Sequence, residues 1–310
     1  MTQKKRNHHY IPNKSYLANF SDSKGKIWVL DSDDKIYQTS PAKTFKQKYF
    51  YIITLNKKNG GSLIVENTLA GIEGIYAAIY HNKINKVKPL TIHERAAVAV
   101  FLAAMYLRTK SQRENFRKAL IDLRNKMKEW QVAFKKDKGM RDFYSRLPKS
   151  KNSKGITLPE LEKGIKDFDE FHAASVMTSL PEVSQIIFDM KWCFVRIENT
   201  DEVFVTSDDP FRILRPESIK KYGPKAFGSS PGLLYKDTEI TIPLSSKIAL
   251  VAGWKLKDNM TIQADKKAVD QINIRTIMHA SEKVVADNQE ILKEILKKAP
   301  KKLEKSTKSW

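Results

Sequence analysis

Alternating apolar and polar positions mark two short strands near the start of the chain, at 26–30 (KIWVL) and 35–39 (KIYQT). Between them Ser32-Asp33-Asp34 has turn composition, so the pair predicts a β-hairpin. Residues 48–53 (KYFYII) predict a third strand. The spacing then changes from two to three and four. Leu63, Glu66, Leu69, Ala70, Glu73, Ala77 and Tyr80 predict a helix over 62–81, with Gly71 and Gly74 inside it as points of close packing. Thr91 followed three residues later by Glu94 has the form of a capping box. The almost wholly apolar run 96–107 behind it predicts a buried central helix. Past Arg108 the same helix is expected to turn basic and to run to about Lys138, where Gly139 ends it.

Helices are further expected at 158–177, 181–190 and 265–287, and a basic helix after that. Strand patterns at 192–197, 203–206, 239–243 and 248–254 predict an antiparallel sheet. Blocks of strands and helices, instead of regular alternation, predict an α+β fold: a helical bundle packed against an antiparallel sheet, with an N-terminal β-hairpin. Residues 1–290 are expected to form one domain with a protruding basic helical segment near 108–154. Residues 291–310 are expected to form a basic C-terminal helix or tail.

Charge changes this picture more than composition does. The formal net charge is +21, from 56 basic and 35 acidic residues among 310. Residues 108–154 hold 16 basic and 5 acidic side chains, so about half of the excess falls there. Such an excess favours a polyanion partner: RNA, DNA or an acidic protein surface. No run approaches the ~20 apolar residues of a membrane span, and the opening MTQKKRNHHYIP is charged, so a cytoplasmic protein without a membrane partner is expected. Cys193 is the single cysteine, which excludes an intramolecular disulfide and a Cys-based zinc site. Its apolar neighbours Trp192, Phe194 and Val195 predict a buried small residue and not a nucleophile.

Several groups have the makings of a site. His8 and His9 lie beside Tyr10, Ile11 and Pro12, with Tyr16, Leu17 and Phe20 behind them. An imidazole fixed by an aromatic anchor suits acid–base work or metal binding. Glu66 and Glu73 are two helical turns apart and face the same way, as divalent-metal ligands or an acid–base pair would. The alternative is a pair of exposed glutamates answering nearby lysines. Arg108 and Arg113 stand where the helix turns polar, placed to hold a phosphate or carboxylate, or else as solvated helix arginines. Asp208 and Asp209 sit in a Thr206-Ser207-Asp208-Asp209-Pro210 turn that is equally suited to a metal ligand and to a self-capped turn. His81, His93, His172 and His279 are expected to be structural. No Walker loop, dinucleotide fingerprint, nucleophile elbow or HExxH zinc motif is present.

Taken together, His9-Tyr10-Ile11-Pro12, Tyr16-Leu17, Phe20, Glu66, Glu73, Arg108-Thr109, Arg113, Thr206-Ser207-Asp208, Pro210 and Pro243-Leu244-Ser245 resemble the pattern of a bacterial domain-of-unknown-function family, DUF4238. The resemblance covers about residues 8–290. It departs at two places: Asp209 stands where Asn is expected, and Lys110 where Pro is expected after Arg-Thr. The resemblance implies that His9, Glu66, Arg108 and Asp208 meet in space, and implies no particular activity.

Three functions fit these residues. The first is a metal-dependent nuclease, in a bacterial defence or toxin setting. In it Glu66, Glu73 and Asp208 hold a divalent metal (Mg or Mn) and His9 moves a proton. Arg108, Arg113, Arg117 and Lys118 then bind the phosphates. The second is a non-catalytic module that binds nucleic acid or an acidic protein, with the same polar residues locking the arm to the core. The third is a hydrolase or transferase acting on a small anion.

Overall fold

A computed structural model describes residues 7–48, 64–139, 142, 146, 155–198, 201–215 and 232–298. The third strand expected at 48–53 and the tail beyond 298 therefore lie outside the described residues, strand residue Lys48 apart.

The hairpin forms as expected. Strands β2 (Ile27–Asp31) and β3 (Ile36–Thr39) pair antiparallel. The Asp31 carboxylate closes their turn by accepting the amides of Asp33 and Lys35, each at 3.0 Å. The hairpin is one side of a four-stranded antiparallel sheet ordered β3-β2-β11-β6, where β6 is Thr206–Ser207 and β11 is Lys283–Ala286. A second sheet has five strands in the order β10-β5-β9-β8-β7. These are β5 (Lys191–Arg196), β7 (Arg212–Leu214), β8 (Glu239–Ser245), β9 (Ile248–Gly253) and β10 (Met260–Gln263). It is antiparallel except where β10 runs parallel to β5. Ahead of both sheets, β1 (Asn7–His9) pairs with β4 (Lys46–Lys48), so the arm enters the fold as a strand.

The helical layer consists of α1 (Ile64–Ile79), α2 (Ile92–Leu107) and α5 (Phe168–Asp189). Thr91 and Glu94 make the expected reciprocal cap of α2, through Glu94 N–H to Thr91 Oγ1 at 3.2 Å and Thr91 N–H to Glu94 Oε2 at 2.8 Å. Val98 to Met105 are nearly all buried, because α2 is enclosed by α1, α5 and the five-stranded sheet. One core joins these helices to Ile240, Ile242, Leu244 and Leu250 of that sheet and to Tyr10, Ile11, Tyr16, Leu17 and Phe20 of the arm. The Tyr16 hydroxyl donates to the Pro243 carbonyl at 2.7 Å, so Thr206 Oγ1, at 2.8 Å, must donate to Tyr16. One phenol thus ties the arm to both sheets.

Gly71 and Gly74, expected at points of close packing, stand exposed with open space beside them, and four expectations about the helices need correction. The helix expected to run through Arg108 ends at Leu107, and α3 (Lys110–Lys136) starts afresh with Thr109 as its cap, accepting the Gln112 amide at 3.3 Å. The helix expected over 158–177 is two, α4 (Leu158–Lys166) and α5, broken at Asp167. Helix α5 then continues through Pro181, where a second helix was expected to begin. Finally, 265–287 divides into α6 (Lys266–Ile277) and strand β11, whose Val284, Val285 and Ala286 are buried between β2 and β6. The last helix, α7 (Gln289–Lys298), lays Leu292 and Ile295 on this smaller sheet and so belongs to the fold. Among the described residues no helix is long and apolar enough to cross a membrane.

Candidate functional site

The break between α2 and α3 is where distant parts of the chain meet. Arg108 leaves helical geometry (φ −105°, ψ 4°), and each of the next three residues takes a polar partner. Arg108 is 1% exposed, and its Nη1 donates to Glu73 Oε1 of α1 at 2.7 Å, a charge-assisted bond. Lys110 bonds both Glu282 oxygens, at 2.9 and 3.0 Å, and lies 4.9 Å from the centre of the Tyr10 ring. Ser111 donates a short bond to Asp209 Oδ2. With its single proton so used, Ser111 Oγ accepts from Thr109 Oγ1 at 3.0 Å, giving an ordered relay from Thr109 through Ser111 to Asp209. Asp209 Oδ2 also pairs with Arg212 Nη2 at 2.7 Å.

Asp208 forms the floor beside them at 2% exposure. Its two oxygens accept the amides of Ser281 at 3.0 Å and Glu282 at 2.9 Å, which pins the turn leading into β11. Burial raises its carboxyl to about 6, and the nearby Asp209 and Glu282 charges add to the rise against the pull of the amides. Burial likewise raises the Tyr10 phenol, with Glu282 and Asp208 acting in the same direction. His9 is half-buried at the end of β1, its Nε2 3.5 Å from Asn13 Nδ2. Desolvation lowers its pKa. Lys46 and Arg108 lower it further, and Glu73 and the Thr44 backbone oppose them. His9, Glu73 and Arg108 thus share one electrostatic neighbourhood, and Tyr10, next to His9 in sequence, extends it to Lys110, Glu282 and Asp208.

The remaining candidates lie elsewhere or play other parts. Glu66 is half-buried two turns before Glu73 on α1. Arg113 turns to the start of α5, where it pairs with Asp169 and stacks 5.3 Å from Phe168. Arg108 and Arg113 therefore do not grip a common ligand position. Arg117 also lies over Phe168 at 5.3 Å, and Lys118 is exposed. His172 is buried against Phe116 and Phe168. The metal-ligand set Glu66, Glu73 and Asp208 does not assemble. Glu73 is engaged by Arg108 and Asp208 by backbone amides, and among the described residues no three His, Cys, Asp or Glu side chains gather as metal ligands would. Sequence reasoning missed Glu282, Ser111 and Arg212 as partners. The two departures from the family pattern were the available signal: Lys110 and Asp209 are the positions where this chain places ion pairs of its own.

No curated protein and no solved structure matches the chain. A family model matches residues 7–290, nearly the whole length, and it spans the arm, α1, the helix break, the Asp208 turn and β11 alike. The chain belongs to the family described as protein of unknown function (DUF4238).

Proposed function

We propose that this protein binds nucleic acid through α3, and that the polar cluster at the root of α3 is the joint that aims it. Helix α3 spans 27 residues, about 40 Å at 1.5 Å per residue, and has one buried side chain, Leu120. Seven of its nine cations divide into two sets. Lys110, Arg113 and Lys128 pair with Glu282, Asp169 and Glu162. Arg117, Lys118, Lys126 and Lys136 are exposed and have no carboxylate partner among the described residues. This second set carries the proposal, because exposed cations free of acidic partners release counterions when they meet phosphates. The test is a salt titration of binding to duplex DNA and to RNA. Four phosphate contacts give a log–log slope of about −3 to −4. Reversing Arg117, Lys118, Lys126 and Lys136 to Glu together should lower affinity at least tenfold and flatten that slope. Unchanged affinity in a folded quadruple variant would refute the proposal.

One observation favours a second function, cleavage of the bound strand at the joint. Asp208, raised to about 6, falls where general acids and bases work, and His9, the sequence neighbour of the Tyr10 phenol that Asp208 influences, is partly open to solvent. Incubation of labelled RNA and DNA with and without Mg²⁺ or Mn²⁺ separates the two. Cleavage that is lost in folded His9→Ala and Asp208→Asn variants supports catalysis, whereas intact strands under all conditions leave binding alone.

A further inference from the structure

We propose that the nucleic acid is single-stranded, with an unpaired base stacked on Trp130. This rests on the α3 assignment above and goes beyond it. Trp130 is 52% exposed near the distal end of α3, an unusual place for so large a ring. Lys126 precedes it by four residues, so the two share a face of the helix, a cation one turn below an open aromatic plane. A base–aromatic stack tolerates any sequence, and a neighbouring cation holds the phosphate beside it. A duplex has no free base face to offer such a ring.

The structure argues against a lipid surface as the occupant. An amphipathic membrane helix needs a continuous apolar face, and that face of α3 is already used as far as Met127. Phe116, Leu120, Leu123 and Met127 pack on Leu161, Phe168 and Phe171 of α4 and α5. The apolar side chains of α3 left largely exposed are Trp130 and Val132. Two residues apart is about 200° around the helix, so these do not form one patch.

The experiment is fluorescence anisotropy with a labelled oligo-dT strand, a matched DNA duplex, and anionic vesicles as a third probe. Trp130→Ala should weaken oligo-dT binding by roughly 5- to 150-fold, leave duplex binding within twofold, and leave the thermal melt unchanged. Trp130→Phe should restore most of the loss. If Trp130→Ala changes neither nucleic acid while the fourfold charge reversal abolishes both, the stacking inference is overturned and α3 binding stands. If the charge reversal is also without effect, both fail. Tight binding of vesicles with a blue shift of tryptophan emission, in place of oligo-dT binding, overturns the inference in favour of a membrane.

Discussion

The Arg108–Glu73 pair predicts an asymmetry opposite to what exposure alone suggests. Arg108 is 1% exposed and the Glu73 side chain 24%. Glu73→Leu removes the carboxylate from a guanidinium that water cannot reach and whose Nη2 also contacts the Met105 sulfur at 3.6 Å. Breaking a buried pair in this way costs about 3–5 kcal/mol. Arg108→Met keeps most of the volume and strands only Glu73, which retains access to water. That should cost about 1–2 kcal/mol. The double variant removes both charges and should recover most of the larger loss, giving a coupling of ~3–5 kcal/mol. Urea unfolding followed by circular dichroism measures all three, with an unchanged m-value as the check on comparable unfolding. His9 supplies an independent readout. Glu73 raises its pKa and Arg108 lowers it, so histidine NMR titration should move down in Glu73→Leu and up in Arg108→Met. If Arg108→Met proves the more damaging variant, or His9 moves the same way in both, the pair does not work as described.

Two further predictions follow from buried and boundary residues. Burial holds His172 down at about 4, with Arg113 adding to the fall, against an unfolded value of 6.5. Its depressed pKa contributes ~3 kcal/mol above pH 6.5 that is lost as pH falls toward 4. Asp208 works in the opposite sense. Raised from 3.8 to about 6, it contributes ~3 kcal/mol below pH 4 that is lost as pH rises through 6. Urea midpoints between pH 4 and 7 should therefore show a flatter acid side in His172→Gln and a steeper one in Asp208→Asn; equal slopes in wild type and both variants contradict this. Lys110→Pro should fold with stability within ~1 kcal/mol of wild type. Lys110 is the first residue of α3, where proline is favoured, and Thr109 before it already has the extended backbone (φ −68°, ψ 154°) that proline requires. The partly exposed Glu282 pair and the contact with the Tyr10 ring are lost, each of which is worth little. A drop of several kcal/mol in thermal or urea unfolding would show that Lys110 bears more of the joint than its geometry indicates.

The parts of the fold legible in the sequence are those decided within a few residues. Thr91 and Glu94 bond each other, Asp31 closes its own turn, and Val98–Met105 of α2 is apolar on all sides because nearly every side is covered. What was not legible depends on contacts far along the chain. Apolar periodicity passes without interruption from 96–107 into the basic run, and nothing local announces that Thr109 is a cap and not a mid-helix threonine. Pro181 looks like a boundary, yet α5 continues through it. Strand β11 is four residues long and is a strand only because β2 and β6 flank it. The site divides the same way. His9, Glu73, Arg108 and Asp208 were each visible as polar residues in telling places. Their chemistry was not, because whether a carboxylate serves a metal, a proton or an arginine is decided by the partner that another element brings. Glu282 carries no motif at all, and its place in the site comes from Lys110 and from the Asp208 carboxylate that accepts its amide.

The joint also constrains how α3 can act. In a continuous helix Arg108, Thr109, Lys110 and Ser111 would point outward at successive 100° steps along one rod. The break at Arg108 instead leaves Arg108 in the frame of α2, facing α1, and places Lys110 and Ser111 in the frame of α3, facing β11 and the Asp209 turn. The direction of α3 is thereby set at its root by bonds to two separate elements, and further along by its ion pairs to and packing on α4 and α5. Because α3 is about 40 Å long, a tilt of ~10° at that end displaces the far turn carrying Trp130 and Lys136 by several ångströms. Lesions at the joint, such as Ser111→Ala or Asp209→Ala, should therefore alter nucleic-acid affinity without removing a single exposed cation. They should leave the salt slope, which counts phosphate contacts near α3, closer to wild type than the charge reversals do.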